Sequence, residues 1–99
     1  MSSAPVEFLV RMEVTGVADL DPGELDRLRA AEALRAAELA ATGTLLRVWR
    51  PAGGGWRNVG LWTAGDEGEL RATLATLPFA PYLRIEVEPL ETHPNDPGR

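Results

Sequence analysis

Glu32 stands at a position where a carboxylate is out of place. The helical pattern around it repeats apolar residues at Leu25, Leu28, Ala36 and Leu39. On a wheel at about 100° per residue with Leu25 at zero, Leu28 falls at about 300°, Leu39 at about 320°, Ala36 at about 20° and Glu32 at about 340°. Glu32 therefore points at the protein interior, whereas Glu24 and Glu38 lie towards or beyond the edge of the apolar arc. Two outcomes are open to such a group. Desolvation raises its pKa and makes it a better base, or a cation partner keeps it charged. The first suits removal of a carbon-bound proton near neutral pH. The second would be a structural ion pair with a strand arginine: Arg11, Arg47 or Arg50.

Other side chains with chemical potential are few. Asn58, in Trp56-Arg57-Asn58, falls inside a strand pattern, where asparagine has poor propensity; it is either a fixed donor or an edge polar residue. Arg47, Arg50 and Arg57 could each grip a carboxylate through two parallel hydrogen bonds or serve a surface ion pair. His93 is the sole histidine and titrates near neutrality when unperturbed; on a proline-flanked tail it reads as an exposed side chain. Trp49 and Tyr82 read as packing or interface residues that can also wall a pocket. One histidine and no cysteine leave no cluster with metal-ligand spacing. Gly53-Gly54-Gly55 lies between two strands, not between a strand and a helix, so it is not a phosphate loop.

The elements that must position these residues follow from periodicity and punctuation. Val6, Phe8, Val10, Met12 and Val14 alternate with Glu7, Arg11 and Glu13 as a first strand, with Leu9 on its second face. Asp21-Pro22-Gly23-Glu24 supplies a cap, a first-turn proline and a capping-box glutamate for a helix that reaches about Ala41 and stops at Gly43. Residues 44–50 and 56–63 form two strands joined across Pro51 and the three glycines. Asp66 and Glu69 open a second helix with a Leu70, Leu74, Leu77 stripe, ended by Pro78. Leu83, Ile85 and Val87 alternate through a fourth strand, and Pro89 places that strand at an edge. The order is β-α-β-β-α-β, an α+β ferredoxin-like arrangement: a four-stranded antiparallel sheet with both helices on one face.

Ninety-nine residues form one domain, 1–99, with loose tails at 1–5 and 95–99. A chain of this size buries only about 60–65% of its unfolded surface, too little for a deep private cavity. A pocket wall borrowed from a second copy is therefore expected. Trp49, Trp56, Trp62 and Leu9 exceed what one helix layer covers, which points to dimerisation through the open sheet face. The net charge of −5 argues against a nucleic-acid surface. No apolar run approaches the roughly 20 residues of a membrane span, and the N-terminus lacks a secretion signal, so a cytoplasmic protein is expected.

The succession Leu77-Pro78-Phe79-Ala80-Pro81-Tyr82-Leu83-Arg84-Ile85-Glu86-Val87, followed by His93-Pro94, resembles the muconolactone isomerase family. Gly43-Thr44-Leu45-Leu46-Arg47-Val48-Trp49-Arg50 carries the same resemblance, which runs from about Phe8 to Pro94. It implies a cofactor-free enzyme of aromatic catabolism that converts muconolactone to 3-oxoadipate enol-lactone, with no metal. By the same resemblance Glu32 is the base and Asn58 the donor to the dienolate oxygen. Arg50, of the Trp-Arg pair, or Arg47 meets the substrate carboxylate, near Trp49 and Tyr82. His93 lies on a tail that docks on a neighbouring subunit, in an assembly that in this family tends towards decamers.

Departures from the family pattern bear on the substrate. The Gly53-Gly54-Gly55 hairpin is one residue longer than usual. Leu45 replaces a frequent tryptophan, and Val59-Gly60 a frequent tyrosine and small polar residue. These changes imply a more apolar, emptier site that accepts a different lactone. Chloromuconolactone dehalogenation, in which the same deprotonation ends in chloride loss, is a second reading. Cofactor-free monooxygenases and a binding module without chemistry share the expected architecture.

Overall fold

The computed structural model describes residues 5–98. Residues 1–4 of the expected N-terminal tail, and residue 99, lie outside them. Alternation produces β1 (Val6–Val14), whose Phe8, Val10 and Met12 are buried. Helix α1 (Pro22–Ala41) begins where Asp21 Oδ1 accepts the Glu24 N–H at 2.8 Å, and it ends through Thr42 into Gly43 at φ 79°. That left-handed backbone is open to glycine without the Cβ clash other residues meet. Strands β2 (Leu45–Trp49) and β3 (Arg57–Ala64) follow, then α2 (Glu67–Leu74) and β4 (Leu83–Leu90). Asp66 Oδ1 caps α2 by accepting from Glu69 N at 2.7 Å.

Helix α2 stops one turn earlier than Pro78. Because Pro78 has no N–H for the Leu74 carbonyl, Leu77 N takes that acceptor at 3.1 Å and tightens the turn. Leu70, Leu74 and Leu77 are buried as their spacing requires.

The strands run in the order β2-β3-β1-β4 with every neighbouring pair antiparallel, the ferredoxin-like arrangement. Pro89 lies on the edge strand β4, opposite Phe8. Phe8, Val10 and Met12 share a core with Trp62, Leu39, Leu70 and Leu74, so both helices lie on one face. Packing is uneven along α1. Only Leu39 is buried; Leu25, Leu28, Glu32 and Ala36 are half-buried. The N-terminal half of α1 thus leaves room beside the sheet.

Register decides what faces the helices. Trp62 pairs with Phe8 and is buried, and its indole lies over Gly60: a Cβ at Gly60 would stand 2.5 Å from Trp62 Nε1. The space freed by glycine is filled by tryptophan, not left to a ligand. Gly60→Ala must displace that indole from the core, and a loss of about 1–3 kcal/mol is expected. Urea denaturation read by tryptophan fluorescence checks this; an unchanged midpoint would remove the packing role assigned to Gly60.

Candidate active site

Glu32 sits on the α1 face turned to the sheet, half-buried. One oxygen, Oε1, accepts the Phe79 backbone N–H at 3.0 Å. Burial raises the Glu32 pKa above the ordinary glutamate value, and the Phe79 hydrogen bond opposes that rise without cancelling it. Among the described residues Glu32 makes no ion pair. Arg11 instead pairs with Glu88 at 3.2 Å, and Arg47 stacks on Trp49 at 5.1 Å. The carboxylate is thus partly desolvated with no cation among the described residues to fix its charge, and Oε2 makes no hydrogen bond among them.

An open cavity of ≈ 780 Å³ lies where β2 ends and β3 begins, bordered by Arg29 of α1. Its wall includes Arg29, Trp49, Arg50, Trp56, Arg57 and Asn58, and no acidic residue. Glu32 is not part of that wall; it lies one contact behind it. Phe79, whose N–H it accepts, meets Trp56 edge-to-face with centroids 6.3 Å apart, and Arg29 lies 4.5 Å over the Trp56 ring. Asn58 pairs with Met12, which turns it to the helix side of the sheet, half-buried. Its amide makes no hydrogen bond among the described residues, so its donors remain available to a ligand.

The structure therefore brings Asn58 and Arg50 together at the cavity, with Glu32 behind it, while Trp49 borders the cavity from the open sheet face, where it pairs with Val59. The other candidates lie apart. Arg47 pairs with Leu61 on the opposite sheet face, because a bulge between Leu45 and Arg47 shifts the register of β2. Tyr82 borders a different concavity with Leu28 and Ala31, at the N-terminal half of α1. His93 is exposed in a local turn, its Nδ1 accepting the Asn95 N–H at 2.9 Å. Leu45, Val59 and Gly60 do not border the arginine-rich cavity: Leu45 packs against the core, Val59 pairs with Trp49 on the open face, and Gly60 lies beneath Trp62. The emptier site expected from these three positions is not what they create. Arg29 escaped the sequence reading, although it falls at about 40° on the same helical wheel, just beyond the edge of the apolar arc.

Among the described residues no group of three or more His, Asp or Glu could hold a metal ion. The family model described as muconolactone delta-isomerase matches residues 6–96, nearly the whole chain. The chain belongs to the muconolactone delta-isomerase family. Its relative, the muconolactone Delta-isomerase of Rhodococcus opacus, is 36% identical over 89 residues, covering 90% of this chain and 95% of that one. A crystal structure of muconolactone isomerase matches with a TM-score of 0.84 at 34% identity, covering 94% of this chain and 96% of that one. SnoaB, a cofactor-independent oxygenase from Streptomyces nogalater, matches at a TM-score of 0.50 and 21% identity, covering 96% and 99%. That second likeness is one of fold alone.

Proposed function

We propose that this chain isomerises muconolactone, or a related unsaturated lactone, to the enol-lactone as a step of aromatic catabolism in the cytoplasm. The observation that carries the reading is Glu32: a half-buried carboxylate with a raised pKa and no ion-pair partner among the described residues, in a chain matched to the isomerase family from residue 6 to 96. The reaction moves one proton. Glu32 takes it from the ring carbon bearing the carboxymethyl group. The electron pair left behind enters the conjugated system, and negative charge gathers on the lactone carbonyl oxygen. Asn58 donates to that oxygen. Glu32 then returns the proton two carbons away, beside the carbonyl, and the double bond has moved. Neither a metal nor a redox partner is required by this balance. Arg50 contributes positive charge for the substrate carboxylate.

Incubation with muconolactone in D2O, followed by NMR, tests the proposal. Enol-lactone should accumulate, and its deuterium content reports whether Glu32 keeps the proton between the two steps. A folded protein that neither forms product nor exchanges substrate protons would end this reading.

The assembly we propose is a dimer, at least, through the open sheet face, with larger oligomers built upon it. Leu9 pairs with Leu61 there and Val59 with Trp49, whose exposure is 43% in the isolated chain. The Arg11–Glu88 and Glu13–Arg84 pairs flank this apolar strip. Leu61→Arg puts a charge in its centre and should convert the dimer to monomer in sedimentation velocity. An unchanged mass would exclude this face.

A further inference from the structure

The arginine-lined cavity is anomalous in a protein of net charge −5, and one of its arginines has an arrangement the others lack. Arg57 Nη2 is engaged within its own hairpin, donating to Gly54 O at 3.4 Å. Arg50 stands at the mouth, just past the end of β2. Arg29 is carried by α1 itself, three residues before Glu32, and makes no ion pair among the described residues. Its guanidinium carbon lies 4.5 Å from the centre of the Trp56 ring. A cation–π contact of this kind restrains the guanidinium, and its N–H groups, which make no hydrogen bond among the described residues, stay available to an anion.

We propose that Arg29 is a specificity-determining residue that binds the free carboxylate of the lactone substrate and so selects acidic over neutral lactones. The inference rests on the isomerase reading for the identity of the substrate, but not for the existence of the anion site. Substrate geometry supports it. The carboxymethyl group is attached to the carbon that loses its proton, so the group gripping the carboxylate must lie close to the base. Residues three apart on a helix have Cβ atoms about 5–6 Å apart, a spacing of that order. Because Arg29 and Glu32 share one rigid element, gripping the carboxylate would fix the acidic C–H relative to the base. Arg50, past the end of β2, adds positive charge at the same cavity but gives no such fixed relation.

The test compares two unreactive probes, the saturated lactone acid (5-oxotetrahydrofuran-2-yl)acetate and its neutral carboxamide, titrated calorimetrically into wild type, Arg29→Gln and Arg29→Lys. Wild type should bind the acid more tightly than the amide. Arg29→Gln should lose about 10- to 100-fold of affinity for the acid, the range of a charge-assisted hydrogen bond, and little for the amide. Arg29→Lys should recover part of that loss. With muconolactone as substrate, Arg29→Gln should act mainly on KM, as a ground-state contact does. Equal losses for acid and amide would mean that Arg29 merely supports Trp56, and would overturn the proposal. So would failure of the wild type to bind the acid, or wild-type discrimination retained by Arg29→Gln. A wild type that binds the acid through Arg29 yet does not turn over muconolactone would retain the anion site and reject the isomerase reading alone.

Discussion

Glu32→Gln should lower the rate of lactone isomerisation by about 10²–10⁴-fold, the usual contribution of a positioned general base. The substitution keeps the shape of the side chain and an oxygen able to accept the Phe79 N–H, so the cap on that turn survives. What it removes is the capacity to take and return a proton. Stability should move the other way. Burial raises the Glu32 pKa in the folded protein, so the unfolded chain holds fewer protons on this group between its ordinary pKa and the raised one. Stability contributed by this group therefore falls as pH rises through that window, and the full cost of the buried charge is present above it. Glutamine carries no such cost, so the variant should unfold no more readily than wild type at neutral pH. The acid limb of kcat/KM in the wild type should likewise lie above that of an ordinary glutamate, because the base must be deprotonated to act. Thermal unfolding of both proteins and a pH–rate profile of the wild type check these together. A variant as stable as wild type but equally active would remove Glu32 from the chemistry.

The two caps, the alternations of the first and fourth strands and the α2 leucine stripe were legible because each is a local signal. Asp21 and Asp66 cap as read. The position of Glu32 was legible for the same reason, since a helical wheel needs no tertiary information. The wheel also contained Arg29, but a cation at the edge of an apolar arc can reach water along its own stem, so it did not stand out as Glu32 did. Arg47 was illegible in a different way. Strict alternation would put Leu45, Arg47 and Trp49 on one face, yet Leu45 pairs with Trp62 on the core side and Arg47 with Leu61 on the open side. One extra residue in β2 reverses the faces beyond it, and nothing in the local sequence marks that bulge. The role of Gly60 depends on the Trp62 rotamer, which composition cannot supply. The three tryptophans divide likewise: Trp62 enters the core, Trp56 meets Phe79, and Trp49 remains 43% exposed. Strand pattern alone assigns them equal weight as interface residues, and tertiary packing separates them.

Asn58→Ala should reduce kcat by about 10²–10³-fold, as removal of a single donor to a developing oxyanion does. The amide is half-buried, opposite Met12, and no described protein group uses its donors. A donor left idle in the resting protein costs little to keep wet and gains most when charge appears beside it. The lactone carbonyl is nearly neutral in the ground state and carries the dienolate charge only after proton removal. Loss of Asn58 should therefore depress kcat with little change in KM, the signature of an interaction made in the transition state. Asn58→Asp is the sharper variant. It preserves size while replacing the donor by an acceptor and placing a negative charge where negative charge must form, so it should fall below Asn58→Ala. A cavity that only needed a polar residue of this shape would tolerate aspartate better than alanine. Steady-state kinetics of the two variants on muconolactone thus separate a fixed electrostatic donor from a surface polar residue at the end of a strand.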